Sequence, residues 1–176
     1  MRLRNSFVVS LGFLWPAAAA CPAAELDRAI AEITRRGGKV KSDDKMPGKP
    51  VVAVTLSYCT VNDDLLAVLT IFPELHTVDL GAAKFNEKSL ARLKDCPKLR
   101  TLYLNLTRIT DDGLAHISDL AELREINLFK TQVVNAGLAH LKGLPHLEAL
   151  NVVQTKVTDD GLRELQKALP NLKVTH

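Results

Sequence analysis

Residues 100–123 read RTLYLNLTRITDDGLAHISDLAEL, and the chain on both sides of them is made of imperfect copies at the same spacing. At 24-residue steps five units follow one another: VVAVTLSYCTVNDDLLAVLTIFPEL from Val51, HTVDLGAAKFNEKSLARLKDCPKL from His76, the quoted stretch from Arg100, REINLFKTQVVNAGLAHLKGLPHL from Arg124, and EALNVVQTKVTDDGLRELQKALPNL from Glu148. The first and last hold 25 residues. Within a unit the apolar positions change period. Leu102 and Leu104 alternate, as in a short strand with one face buried, whereas Leu114 and Ile117 stand at helical spacing. Each unit is therefore predicted to be one strand and one helix, too small to bury its own apolar face and stable only when stacked on its neighbours.

The apolar spacing fits L-x-x-L-x-L-x-x-[N/C]-x-L, which at a period of 20 to 29 residues marks leucine-rich repeats. Leu99, Leu102, Leu104, Thr107 and Ile109 fill it, as do Leu123, Ile126, Leu128, Thr131 and Val133, and Leu147, Leu150, Val152, Thr155 and Val157. The chain resembles the bacterial repeats that read L-x-x-L-x-L-x-x-T-x-[IV]-T-D-x-G-L, related to the cysteine-containing subtype of F-box proteins. The resemblance implies an α/β fold: a right-handed solenoid with a parallel sheet on its concave side and helices outside. The early units depart from that wording. Cys59 and Ala83 stand in the Thr column, and Leu65 and Ser89 in the Gly column, which loosens those turns.

Two polar columns have assigned duties. Asn62, Asn86, Thr110 and Thr158 fall just ahead of the helices, where a side-chain oxygen caps free backbone N–H groups, and the acidic residues after them suit the helix dipole. Val134 interrupts this column, so Asn135 is expected to cap there. Thr107, Thr131 and Thr155 lie where the chain turns inward after the strand, and their hydroxyls are expected to satisfy buried loop backbone, as the family's Asn does.

Ahead of the repeats, residues 25–36, ELDRAIAEITRR, place Leu26, Ala29, Ile30 and Ile33 on one helical face, and Gly37-Gly38 can end the helix. The apolar face needs a surface to cover, and the open end of the first repeat offers one, so residues 21–50 are predicted to form an N-terminal cap. Lys39–Lys41 would add a short strand beside it, with a polar connection over residues 42–49. Residues 51–176 are the repeat domain.

The first twenty residues differ in kind. Arg2 and Arg4 precede an apolar run from Phe7 to Trp15, and Ala17–Ala20 supply small residues for cleavage, so residues 1–20 are read as a signal peptide. Spanning a bilayer takes about 18 consecutive apolar residues, and Ser10, Gly12 and Pro16 interrupt this run. Export to the periplasm, cell envelope or extracellular space is the expectation. Ala18-Ala19-Ala20 fits a simple A-x-A cleavage site. Cys21 equally resembles the acylated first residue of a bacterial lipoprotein, although Ala18 replaces that family's usual Leu and Pro22 follows the cysteine. A membrane tether would then be by lipid alone.

With 176 residues, 47% of them hydrophobic and 24% charged, the chain has material for one domain with a sizeable core. Losing residues 1–20 removes Arg2 and Arg4 from a formal charge of +3, and no basic stripe remains of the kind nucleic acid requires. Cys59 and Cys96 occupy inward columns about a strand length apart, so buried free thiols are expected rather than a disulfide.

No catalytic constellation is legible: there is no phosphate loop, no H-E-x-x-H and no G-x-S-x-G. Asp63-Asp64, Asp111-Asp112 and Asp159-Asp160 recur because the unit recurs, and read as first-turn helix residues. His116 and His140 share an outer column with Arg92 and Glu164, which makes a solvated polar ladder; two histidines are too few for a metal site. Neither metal nor other cofactor is called for.

What remains is the surface between the inward leucines. It consists of the columns Ala53, Thr77, Thr101, Glu125, Ala149, then Thr55, Asp79, Tyr103, Asn127, Asn151, then Ser57, Gly81, Asn105, Phe129, Val153. The candidate binding residues are Asp79, Tyr103, Asn105, Glu125, Asn127, Phe129, Asn151 and Val153, aromatics among amides as binding surfaces use them. The competing reading takes Tyr103 and Phe129 as cross-strand packing partners only. The function that follows is non-catalytic binding of a protein or peptide on the concave face. A tethered structural lipoprotein, with the solenoid as spacer, is the alternative. After Leu172 only four residues remain to shield the last unit, so an unpaired strand edge there also invites self-association.

Overall fold

The computed structural model describes residues 23–176. The expected signal peptide at 1–20 and the lipidation candidate Cys21 lie outside these residues. Seven strands form one sheet in the order of the sequence: β1 (Lys39–Ser42), β2 (Val51–Thr55), β3 (Thr77–Asp79), β4 (Thr101–Tyr103), β5 (Glu125–Asn127), β6 (Ala149–Asn151) and β7 (Lys173–Thr175). From β2 onward every pair is parallel and in register at the repeat spacing, Ala53 beside Thr77, Thr77 beside Thr101, and so on to Ala149 beside Lys173. The expected flanking strand at the start is β1, which runs antiparallel to β2 with Lys39 opposite Thr55. A parallel pair needs a crossover of roughly a dozen residues or more, and residues 43–50 are fewer. They instead make a turn in which Gly48 and Lys49 have positive φ and the Asp43 N–H reaches the Pro50 carbonyl at 3.0 Å.

In β3 to β6 the middle residue is buried and its two neighbours are half-buried, as the period of two requires. The buried rows run through all five units: Val54, Val78, Leu102, Ile126 and Leu150, then Leu56, Leu80, Leu104, Leu128 and Val152. The return segments add Leu66, Leu90, Leu114, Leu138 and Leu162. A fully buried leucine contributes roughly 1.5–3 kcal/mol. The return segments are not uniformly α-helical, as the period had suggested. Units one, three and five carry α2 (Asp63–Val68), α3 (Asp111–Ala115) and α4 (Asp159–Ala168), while units two and four carry 3-10 helix over Glu87–Asp95 and Gly137–Leu141. A 3-10 helix rises about 2.0 Å per residue against 1.5 Å for an α-helix, so both forms span the convex side within the residues a unit has to spare.

The helix α1 (Ala23–Arg35) lays Ala29 and Ile33 against the first repeat, with Leu26 and Ile30 beside them. It ends in a Schellman motif: Gly37 has φ +86°, the Gly38 N–H meets the Ile33 carbonyl at 2.9 Å, and the Gly37 N–H meets that of Thr34 at 2.9 Å. Gly38 permits the helix to meet the sheet closely, since a Cβ there would stand 2.7 Å from Leu56 and 2.8 Å from Ile33.

The polar columns divide in a way the sequence reading did not anticipate. Asn62 and Asn86 are caps, accepting the N–H groups of Leu65 and Lys88 at 3.1 Å each. Thr110 and Thr158 are not, and Asn135 does not cap the 3-10 helix after it. These residues bond between units. Glu87 accepts the Thr110 N–H at 2.9 Å and its hydroxyl at 3.1 Å. Asp111 accepts the Val134 N–H at 2.9 Å. Asn135 accepts the Thr158 N–H at 2.9 Å and donates to its hydroxyl at 2.8 Å. The Ser89 hydroxyl donates to Asp63. The physical reason is direction: the column Asp63, Glu87, Asp111, Asn135 points at the loop of the following unit, so each side chain completes its neighbour's turn.

This bracket explains the Gly column. A Cβ on Gly113 would collide with Ile109 of its own loop and lie 2.7 Å from Glu87 Oε2, and on Gly137 or Gly161 it would come within 3.0 Å of the oxygen of Asp111 or Asn135. Where Ser89 replaces glycine, its hydroxyl meets the carboxylate as a partner instead. The Thr column performs as expected. Thr107, Thr131 and Thr155 donate to the carbonyls of Leu104, Leu128 and Val152 at 2.5, 2.8 and 2.7 Å. No buried side-chain oxygen or nitrogen among the described residues is left without a partner.

Candidate functional site

Parallel strands lie about 4.8 Å apart, and helices pack at about 8–10 Å, so the array curves with the strands inside. The sheet surface facing that hollow carries the predicted columns. Thr77, Thr101, Glu125 and Ala149 stand side by side, as do Asp79, Tyr103, Asn127 and Asn151. The third column, Gly81, Asn105, Phe129 and Val153, falls just past the strand ends rather than in them. It stays in register because the backbone ladder continues: the N–H groups of Ala82, Leu106 and Lys130 meet the carbonyls of Asn105, Phe129 and Val153 at 2.8, 2.8 and 2.9 Å.

Three members of the middle column are committed to this geometry. Asp79, Asn127 and Asn151 each accept the backbone N–H two residues on, from Gly81, Phe129 and Val153, at 2.8, 2.9 and 3.0 Å. The Oδ1 atoms of all three are therefore engaged within the chain. They hold the third column in place, and the amide nitrogens of Asn127 and Asn151 are the groups left to meet a partner. Tyr103 interrupts the series. Burial of its phenol, then the charge of Glu125 and a hydrogen bond to it, with the charge of Asp79 last, hold it above its ordinary pKa, so it stays a neutral donor. Asn105 lies across Gly81, where a Cβ would stand 3.0 Å from Nδ2.

All eight predicted residues thus lie on one surface, half-buried and in adjacent rows. The acidic pairs stand at the starts of α2, α3 and α4 as expected, and Asp63 and Asp111 also make inter-unit brackets. His116 ends α3 and His140 lies in the following 3-10 helix, both half-buried. Among the described residues no group of three or more His, Cys, Asp or Glu is placed to hold a metal ion. Cys59 and Cys96 are buried free thiols; burial, with the charge of Asp95 second, pushes the Cys96 thiol up to about 11. Sequence reasoning missed the inter-unit brackets. Their signal was present as four oxygen-bearing side chains at a 24-residue interval, 23 residues ahead of the backbone N–H groups that three of them accept.

Residues 95–118 and 143–165 match the family model described as Leucine Rich repeat. Among solved structures the chain is similar to one in the Drosophila melanogaster SNF/U2A′ complex, with 21% identity and a TM-score of 0.56 over 84% of this chain and 80% of that one. It is also similar to a leucine-rich-repeat protein of Leptospira interrogans, with 19% identity and a TM-score of 0.48. That alignment takes in 62% of this chain and 27% of that one, so the chain spans about a quarter of the Leptospira protein. An internalin of Listeria monocytogenes gives 16% identity and a TM-score of 0.45, over 86% of this chain and 54% of that one. No curated protein sequence matches.

Proposed function

We propose that this leucine-rich-repeat protein is an exported, non-catalytic module that binds a protein or peptide on its concave face. The observation that carries the reading is the fixed geometry of that face. Asp79, Asn127 and Asn151 lock Gly81, Phe129 and Val153 through their own backbone N–H groups, and Tyr103 is held by its hydrogen bond to Glu125, so Tyr103, Phe129 and Val153 form an amphipathic strip ordered before any ligand arrives. Preordered side chains forfeit little entropy on association, and aromatic anchors among fixed donors are where binding energy concentrates. The structurally similar Drosophila chain is itself part of a complex, SNF/U2A′. Export rests on the arginine pair, apolar run and alanines of residues 2–20.

The experiment is capture from a native envelope fraction by the wild-type chain and by the double substitution Tyr103→Ala, Phe129→Ala. Both positions are half-exposed, so the variant is expected to keep its circular dichroism spectrum and lose capture. Retention of every captured protein would sink the concave-face reading. Mass spectrometry of the mature N-terminus reads the fate of Cys21 separately.

A further inference from the structure

The loop edge that follows the strands carries a second surface. In each unit one residue of this edge adopts the left-handed backbone: Tyr58 at φ 64°, Ala82 at 54°, Leu106 at 61°, Lys130 at 54° and Gln154 at 57°. Glycine or asparagine suits that conformation best, and a bulky side chain there is uncommon. Tyr58 nevertheless holds the first place with 82% of its surface exposed, and Leu106 the third with 41%. They are two of the three exposed large hydrophobics among the described residues. Ala82 stands between them, so the row reads large, small, large.

The small residue leaves a groove of about 710 Å³. Ala82, Ala83 and Phe85 line one side, Leu106 and Ile109 the other, and Lys84 and Arg108 rise at the margin. Its one carboxylate, Glu87, is turned onto Thr110. Lys130 continues the cationic edge one unit on. On the opposite rim, ahead of the strands, Lys98 pairs with Glu74 at 2.6 Å and Arg124 with Glu148 at 2.9 Å, each across one repeat. Among the described residues Lys84, Arg108 and Lys130 have no such partner. Two cations of the one rim are thus paired across repeats, whereas Lys84 and Arg108, beside the apolar groove on the other, have no such counter-charge.

We propose that this edge binds an acidic polypeptide segment. One apolar side chain of the segment seats in the groove over Ala82 and against Leu106, and the flanking carboxylates meet Lys84 and Arg108. The apolar surface beside these cations is a groove between two loops, lined by Ala82, Phe85, Leu106 and Ile109, and a groove of that kind takes a side chain of a polypeptide. The surface is separate from the concave strip and stands whether or not that strip binds.

The test is fluorescence anisotropy of the full chain with a fluorescein-labelled peptide of sequence GDEFDEG, beside an analogue with amides for carboxylates and another with serine for phenylalanine. Saturable, salt-sensitive binding is expected to GDEFDEG and not to either analogue. The pair Lys84→Ala, Arg108→Ala is expected to weaken it by about tenfold, as for two charge contacts at a rim. Leu106→Ala, which places in this row a residue it already holds at 82, is expected to weaken it as well. Tyr103→Ala with Phe129→Ala is expected to leave it unchanged, so failure here and failure of the concave reading are separable. Absence of binding, equal binding of the uncharged analogue, or affinity indifferent to the rim substitutions would overturn the proposal. So would tighter binding of phosphatidylglycerol vesicles or of oligo-dT than of the peptide.

Discussion

Replacing Gly137 by alanine tests whether the inter-unit bracket is a packed contact. Gly137 has no positive φ, so on backbone grounds alone Gly137→Ala would stabilise, by about 0.4–1 kcal/mol, through the unfolded chain. The bracket reverses the sign. The new Cβ falls within 3.0 Å of Asp111 Oδ1 and 2.9 Å from its Cγ, and such overpacking costs about 1–3 kcal/mol. Asp111→Ala alone removes the acceptor of the Val134 N–H at 2.9 Å, a hydrogen bond to a charged group, at about 1.5–3 kcal/mol. In the double variant the carboxylate that collides with the Cβ is gone, and the nearest remaining atom is the Asp111 Cα at 3.2 Å. The pair should therefore cost about 1–2 kcal/mol less than the sum of its members, the size of coupling seen between residues in contact. Urea unfolding of wild type, both singles and the double, followed by far-ultraviolet circular dichroism, gives the four free energies. Additivity within about 0.5 kcal/mol would refute the bracket as a contact, because uncoupled sites add to that degree.

Other expectations follow from single groups. Asp111→Asn should cost far less than Asp111→Ala, since Asn135 makes the same bond one unit later at 2.9 Å; equal losses in urea unfolding would contradict this. Thr131→Val removes the hydroxyl that donates to the Leu128 carbonyl at 2.8 Å in a buried loop and should lower stability by about 1–3 kcal/mol, read from the same unfolding curves. The Cys96 thiol has an ordinary value of 9.0 and a native one of about 11, so the native state binds the proton more tightly. Its contribution is complete below pH 9 and is lost as pH rises from 9 through 11, by about 2–3 kcal/mol at 1.36 kcal/mol per unit. Cys96→Ala should flatten the fall of the urea midpoint over that window; an unchanged slope would argue against the assignment.

The architecture was legible because its determinants are periodic. Leu102 and Leu104 announce a strand by alternation, Leu114 and Ile117 a helix by spacing, and five copies average out the noise of each. Thr107, Thr131 and Thr155 were legible for the same reason, a fixed place in the turn with a fixed local partner. Thr110, Thr158 and Asn135 were misread because their partners are not local. A threonine ahead of a helix looks like a cap from its neighbours in sequence, and only stacking shows that a side chain 23 residues earlier has taken that N–H. The antiparallel β1 was hidden likewise, since its direction follows from the length of a connection outside the repeat pattern. On the concave face the positions of Tyr103, Phe129 and the asparagines could be read from alternation. That the oxygens of Asn127 and Asn151 are already engaged could not, because their bonds to Phe129 and Val153 depend on a bend just beyond the strand.

The bracket also bears on how the array melts. Each of Glu87, Asp111 and Asn135 belongs to one unit and completes the loop of the next, so a boundary between an ordered and a disordered unit leaves a turn unfinished. Such a boundary carries a penalty of about 1.5–3 kcal/mol for a charged acceptor, which makes half-ordered arrays roughly 10 to 100 times rarer than they would otherwise be. Units this short would come apart one at a time if only adjacent leucines joined them. With every junction also stitched by a shared polar bond, hydrogen exchange across the five repeats should report one opening free energy rather than a gradient.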